Sequence, residues 1–466
     1  MSTVIGVDSS TQSCKVLAVD AQSGEVISSA AAAHPDRTSV HPEVWTSALR
    51  EAWQAAGADR LGGSVAAASV AAQQHGMVAL DSSGTPVYDA LLWNDTRSAA
   101  EAERLRDELG PEGWVDAVNL VPVASFTITK LAWLARNEPE AATRVAQVVL
   151  PHDWLNGALG GEFTTDRSDA SGTGYYSAVT NGYRTHLLER FFGRVPQLPR
   201  VVPSYEQAGS VRNGWGIDGA VLGAGAGDNA AAALGLGVQA GEIVVSIGTS
   251  GTVFTTTPSA VRDTGGAVAG FADATGNHLP LLAMLNSARV MAATASMLDV
   301  DLPTLDSLAL DADREAGGLT FLPYLDGERS PNLPHATGSL TGLSRSNMTP
   351  QNLARASVLG VLNSLADAID LLKQSGVAPD KVLLIGGGSK SRALRQAAAS
   401  IFGVPVEVPT TKEYVALGAA KQAAWAASGT FPDWQRSVEA AYEPEGDWGA
   451  QVRGRYIDAR KNVYGV

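Results

Sequence analysis

The stretch TVIGVDSSTQSCKVLAVD, Thr3 to Asp20, has a counterpart in GEIVVSIGTSGTVFTTT, Gly241 to Thr257. Each reads as an apolar run, a turn rich in Ser, Thr and Gly, and a second apolar run, which is the pattern of a β-hairpin. Residue by residue the likeness is weak. Its recurrence about 240 residues on predicts two similar domains, with a boundary near residue 240. A chain of 466 residues is also too long for one ordinary domain.

Outward from the first hairpin, EVISSAAAA reads as a third strand. HPEVWTSALREAWQAAG has helical spacing, with Val44, Ala48, Trp53 and Ala56 on one face and Gly57 as the stop. SVAAASVAAQQHG reads as a buried strand that runs into a loop. Beyond the second hairpin, TPQNLARASVLGVLNSLADAIDLLKQSG predicts a long helix with Thr349 as N-cap, Pro350 at the first helical position and Gly376 as the stop. KVLLIGGGSKSRALRQ reads as a strand, a glycine run and a helix. The fold class is therefore α/β.

Composition removes several function classes. With 45% hydrophobic and 18% charged residues the chain has material for a sizeable core. A net charge of −14 argues against general nucleic-acid binding. One cysteine, Cys14, excludes an internal disulfide framework and a multi-cysteine zinc site. The opening MSTVIGVDSS lacks a basic region, so no signal peptide is expected, and no run reaches the ~18 apolar residues of a membrane helix. A soluble cytoplasmic protein is expected, with no membrane partner.

Several short motifs offer chemistry, each beside a plainer reading. Asp8 ends an apolar strand, where a carboxylate must be solvated, paired or metal-bound, and a hard oxygen ligand there suits Mg²⁺. Thr11 and Ser13 could donate to phosphate and Lys15 could neutralise it, although a solvated lysine is the commoner state. SIGTSGT places Thr249 and Ser250 in a turn that either holds phosphate oxygens or simply closes a hairpin. In LIGGGSKSRALRQ, Gly386, Gly387 and Gly388 lead toward a helix N-terminus, either an anion site or a tight turn. AQQHGM sets Gln73, Gln74 and His75 at a strand end, for hydroxyl recognition or as a turn with one core histidine. LLWNDTRS offers Trp93 as a flat apolar wall, with Asp95 and Arg97 as a ligand contact or a simple ion pair. FLPYLDGERSP, with Glu328 and Arg329, reads as a solvated turn. In VLGAGAGDNAAAALGLG, Asp228 is the one charged residue among Gly and Ala, either a reactive carboxylate or a helix cap beside Asn229.

Taken in order, GVDSSTQSCKVLAVD, AAQQHG, LLWNDTRS, ASFTITKLAWLARNEPE, HDWLNGALGGEFTTDRSDASGTGYYS, GAGDNAAAALGLG, SIGTSG, FLPYLDGERSP and GGGSKSRALRQ run nearly the length of the chain. In this combination the chain resembles the FGGY family of carbohydrate kinases. The resemblance implies two actin-like, ribonuclease H-like domains flanking a deep catalytic cleft. It implies residues 1–240 as an N-terminal domain for sugar binding and the catalytic base, and 241–466 as a C-terminal domain for nucleotide. ATP and Mg²⁺ are implied, with phosphoryl transfer to a primary hydroxyl, that at C5 for D-xylulose. By the same resemblance Asp228 is the general base, and Gln74, His75, Trp93 and Asn229 meet the sugar. Thr11, Gln12, Ser13, Thr249, Gly387 and Gly388 meet the nucleotide, and Asp8 the metal.

An ordinary low carboxylate pKa is expected to keep Asp228 ionised. Two positions depart from the family pattern: Ser10 stands where Gly is common, with a cost if its φ must be positive, and Gln74 where Met is frequent. L-ribulose, L-fuculose, gluconate and glycerol remain rival acceptors, and an actin-like ATPase without a sugar acceptor is the rival from another class. Oligomeric state stays open; a homodimer is common among such kinases.

Overall fold

The hairpin at the start forms as the sequence predicts. Thr3–Ser9 and Ser13–Asp20 pair antiparallel, Thr3 opposite Asp20 and Ser9 opposite Cys14. The structure, a computed structural model, describes residues 2–410 and 412–466. Val26–Ala33 adds a third antiparallel strand, and Val65–Ala72 lies parallel to Thr3–Ser9 on its other side. Across this sheet the order is Gln207–Ser210, Val221–Gly223, Val65–Ala72, Thr3–Ser9, Ser13–Asp20, Val26–Ala33. The short strand Ala226–Gly227 pairs parallel with the end of Val65–Ala72.

Side-chain alternation explains why Thr3–Ser9 is buried along its whole length. Ile5 and Val7 point to one face, where they join Trp45, Leu49 and Trp53 of the helix Glu43–Ala55. Val4 points to the other face, with Leu17, Val19, Ala67 and the helix Tyr414–Ser428. That helix lies directly on the strand at Gly6, where a Cβ would fall 1.9 Å from the Ala416 carbonyl oxygen. The same helix meets Asp228–Leu236 at equally small residues, since a Cβ on Gly418 would fall 1.9 Å from the Ala231 carbonyl oxygen.

The second hairpin, Glu242–Ile247 with Gly251–Phe254, is also antiparallel and also has a parallel neighbour, Lys381–Ile385. Its sheet continues through Val406–Pro409 to Val438–Tyr442 on one side and to His278–Met284 on the other. The helix Pro350–Gln374 is capped as the sequence predicts: the Thr349 side chain accepts from the Asn352 amide, and the chain turns out at Gly376, φ +92°.

By contact the chain forms two units. One comprises Met1–Gly237, Thr257–Leu279 and Lys412–Gln435, and the other Val238–Thr256, Pro280–Thr411 and Arg436–Val466. The first crossing lies close to residue 240. The units interleave along the chain, whereas the sequence suggests contiguous halves of 1–240 and 241–466. The close packing of Tyr414–Ser428 on Gly6 is what draws a late segment into the first unit.

Candidate functional site

In the first unit the chain ends of three neighbouring strands carry the predicted polar residues. Asp8 sits at the end of Thr3–Ser9 and is 3% exposed. Burial pushes its carboxyl up to about 6, against the Ser10 hydroxyl that donates to it and the positive charge of Lys15. Ser10 is not among the described non-glycine residues with positive φ, so the feared cost at this position does not arise. Its hydroxyl is used on Asp8 instead. Lys15, half-exposed, is engaged by a carboxylate of the chain itself: its Nζ is 2.5 Å from Glu413 Oε2. Trp93 Nε1 donates to Thr11 Oγ1 at 2.8 Å, so the predicted sugar wall and the predicted phosphate turn touch each other. Gln12 is exposed and Ser13 half-buried.

At the end of Val65–Ala72, Gln74 is buried, its Nε2 donating to the Ser168 carbonyl at 3.3 Å. Its Oε1 lies 3.5 Å from Asn229 Nδ2. Gln74 is thus engaged inside the protein. Gln73 is fully buried, and its side-chain amide has no hydrogen-bond partner among the described residues, while its backbone N–H donates to the Ser9 carbonyl at 3.0 Å. His75 has a positive φ of 71°, and its Nδ1 lies 2.8 Å from the Gly172 carbonyl oxygen. Its ring is flanked by Phe126 and Phe271, with centroids 4.9 and 5.4 Å away. Asp95 and Arg97 form a bidentate ion pair at 2.7 and 2.9 Å, with Thr38 donating to Asp95, so this pair takes the plainer of its two readings.

Asp228 is the first residue of the helix Asp228–Leu236, with Gly227 as N-cap. Its Oδ1 accepts from the Asn229 amide and from Asn229 Nδ2, both at 2.8 Å. The expectation of an ordinary low pKa is overturned. Desolvation first, and then the nearby negative charge of Asp8, push the carboxyl up to about 7, despite the hydrogen bonds from Asn229. The small residues before it are required by its anchors. The Ala224 carbonyl meets His152 Nε2 at 2.8 Å, Gln422 brackets the Gly225 amide and carbonyl at 2.7 and 2.6 Å, and Ser168 Oγ accepts from the Gly227 amide at 3.1 Å. A Cβ on Gly225, φ +88°, would sit 1.8 Å from His152 Nε2, and one on Gly227 would sit 2.6 Å from Gln74 Nε2.

In the second unit Thr249 is exposed at the hairpin turn, and its carbonyl accepts from Arg289 Nε at 3.3 Å. Gly388 packs on Ile247 of the same hairpin: a Cβ there would fall 2.2 Å from Ile247 Cγ2. Gly387 is exposed, with open space where a Cβ would be. The glycine run does not lead straight into a helix. A 3-10 turn, Gly387–Lys390, intervenes, and the helix Arg392–Phe402 starts after it. That helix N-terminus is already occupied by Asp306, which accepts from the Arg392 and Ala393 amides at 3.1 Å and from the Ser391 hydroxyl. The anion site suggested for the helix start is therefore filled by the protein's own carboxylate.

Glu328 corrects the expectation of a solvated turn. It is 1% exposed and accepts from the Leu285 and Asn286 amides, Asn286 Nδ2 and the Arg329 amide. The segment it holds continues to Ala288, whose amide donates to the Gly248 carbonyl at 3.0 Å. Glu328 thereby steadies the hairpin turn that carries Thr249. Gln422, Ser168 and Glu328 carry no local sequence signal for these roles, because their partners lie far along the chain.

Comparison with known proteins bears on this arrangement. The model of the FGGY family of carbohydrate kinases, N-terminal domain, matches residues 3–235, and that of the C-terminal domain matches residues 243–427. A xylulose kinase of Streptomyces coelicolor is 46% identical over 90% of this chain and 87% of its own length. A xylulose kinase of Streptomyces rubiginosus is 44% identical over 92% of this chain and 89% of its own. The crystal structure of xylulose kinase from Bifidobacterium adolescentis superposes with a TM-score of 0.90 at 41% identity, covering 98% of this chain and 99% of that one.

Proposed function

Because the chain belongs to the FGGY family of carbohydrate kinases, we propose that it transfers the γ-phosphoryl group of ATP to the C5 hydroxyl of D-xylulose, with Asp228 as general base. The observation that carries this reading is the Asp228 carboxyl. It is held on a helix start beside Gln74 and Asn229, with its pKa moved to about 7. The names of the relatives supply the acceptor.

A sugar hydroxyl is a poor nucleophile at neutral pH, and a base whose pKa lies near the working pH removes its proton most effectively. Asp228 takes that proton as the new P–O bond forms. Asn229, donating twice to Asp228 Oδ1, fixes the orientation of the accepting carboxylate. His75 and Trp93 position the sugar, and Gln74 acts by holding Asn229 and Ser168. Within the second unit the turns at Thr249 and Gly387–Gly388 hold the nucleotide phosphates, through backbone amides and hydroxyls rather than through a helix start, and Thr11–Ser13 is the candidate phosphate turn of the first unit.

Mg²⁺ fits at Asp8. A buried carboxylate with its pKa raised by desolvation, in the field of the acidic Asp228 and Glu413 and opposed by the charge of Lys15, is a hard oxygen donor. When bound, the ion offsets phosphate charge. Asp8 holds it, and Ser10 keeps that carboxylate oriented. Among the described residues no helix is long and apolar enough to cross a membrane, and the sole cysteine is buried; a cytoplasmic location belongs to this reading.

An acceptor panel tests it. ADP release is measured with D-xylulose, L-ribulose, L-fuculose, gluconate and glycerol, each with ATP and Mg²⁺. D-xylulose should give the highest kcat/KM. A higher value for any other acceptor, or ADP release independent of acceptor, overturns the assignment.

A further inference from the structure

Beneath the loop that presents Asp228 lies a cluster of three side chains that the sequence motifs leave unassigned: His152, Asp153 and Asp169. All three are fully buried. His152 Nδ1 lies 3.0 Å from Asp153 Oδ1 and 3.4 Å from Asp169 Oδ2. Its other ring nitrogen, Nε2, lies 2.8 Å from the Ala224 carbonyl oxygen. A carbonyl only accepts, so Nε2 carries a proton; Nδ1 faces two carboxylates, so it carries one as well. Asn156 Nδ2, 3.0 Å from Nε2, donates to the same Ala224 carbonyl at 3.1 Å. Among the described residues, His152 is the only ion-pair partner of Asp153 and of Asp169. A buried carboxylate left without a counter-charge is costly, and Asp169 makes no side-chain hydrogen bond there.

The cluster reaches the reactive carboxylate by two routes. His152 holds Ala224, four residues before Asp228 in the chain. Asp169 stands in the short helix Arg167–Ser171, whose Ser168 Oγ accepts from the Gly227 amide and whose Ser168 carbonyl accepts from Gln74. One buried cation thus ties together the segments that anchor both ends of the Ala224–Gly227 turn. Gly225 sits against the His152 ring, too close for any side chain.

We propose that His152, carried as an imidazolium between Asp153 and Asp169, is a positioning residue for phosphoryl transfer, setting the place of the Asp228 carboxylate through the Ala224–Gly227 turn. The role rests on the reading of Asp228 as general base. The groups that face the ring are Asp153 on its own helix, Asp169 and, farther off, Asp166 on the segment packed against it; the Tyr175 hydroxyl lies in the field of the two carboxylates. Burial opposes the charge on the ring, and the two carboxylates outweigh burial, holding His152 well above the ordinary histidine range.

Two experiments decide the matter. In the wild-type protein, ¹⁵N spectra of the histidine rings, with His152 assigned by comparison with His152→Gln or Asp169→Asn, should show both His152 nitrogens protonated from pH 5 to pH 8. Loss of either proton in that range, or a shift of the ring signals on adding Zn²⁺, overturns the imidazolium. In kinetics, His152→Gln should lower kcat with sugar about 10- to 100-fold, the scale expected of a displacement of about 1 Å at the reacting groups, while the KM for ATP stays within twofold. A wild-type kcat in the folded variant overturns the positioning role. Should His152→Gln fail to fold, Asp169→Asn takes its place with the same expectation. Asp228→Asn runs in parallel. If it keeps full turnover, the base reading has failed; if it is inactive while His152→Gln is normal, only the role of His152 has failed.

Discussion

Replacing Asp228 with Asn is expected to stabilise the protein at pH 8 and to do so far less at pH 4.5. In the folded protein this carboxyl keeps its proton until about pH 7, whereas the model value for an unperturbed aspartate is 3.8. Between those values the folded state holds more protons than the unfolded one, so the stability contributed by this group falls as the pH rises, and the fall is complete above about pH 8. A gap of roughly three units at about 1.4 kcal/mol each sets a ceiling of about 4 kcal/mol. The side chain is partly open to solvent, and screening brings the expectation to about 2 kcal/mol. Asn keeps an oxygen for the Asn229 amide, so the substitution removes the charge and little else. Thermal unfolding of both proteins at the two pH values measures the effect: the variant should melt a few degrees higher at pH 8, with about a quarter of that free-energy gain left at pH 4.5. A variant no more stable than wild type at pH 8, or a gain equal at both pH values, would refute the claim that desolvation and Asp8 hold this carboxyl near 7.

Two further substitutions separate the substrates. His75→Ala should raise the KM for sugar several-fold more than the KM for ATP in steady-state assays, and an equal rise in both would place His75 outside the sugar site. Gly388→Ala puts a methyl group 2.2 Å from Ile247 Cγ2 and should raise the KM for ATP while leaving the KM for sugar within twofold; an unchanged KM for ATP would remove the glycine turn from the nucleotide site.

Much of the fold was legible because its signals are local. The two hairpins announce themselves by apolar runs around hydroxyl-rich turns, and both formed with a parallel neighbour. Thr349 and Pro350 begin the long helix as their types dictate. What stayed hidden depends on contacts made far along the chain. Nothing near Gly6 reveals that Ala416 will lie on it, so the late segment Lys412–Gln435 joins the first unit unannounced. Nothing in GGGSKSR reveals that Asp306 fills the helix start. Glu328 reads as a surface charge in DGERSP because its partners, Leu285 and Asn286, belong to another segment. At the site itself the residue types were readable and their electrostatics were not. Asp228 among glycines looks like a free carboxylate, and only the burial around it and the charge of Asp8 raise its pKa.

The central claim is that Asp228 accepts the proton of the sugar hydroxyl. Its most direct measurement is the initial rate of sugar phosphorylation by Asp228→Asn, with D-xylulose, ATP and Mg²⁺, beside ATP binding by the same variant. The account predicts a rate lowered about 10²- to 10⁴-fold, the usual worth of a positioned base, with ATP binding unchanged. A variant that phosphorylates D-xylulose within tenfold of the wild-type rate would contradict it.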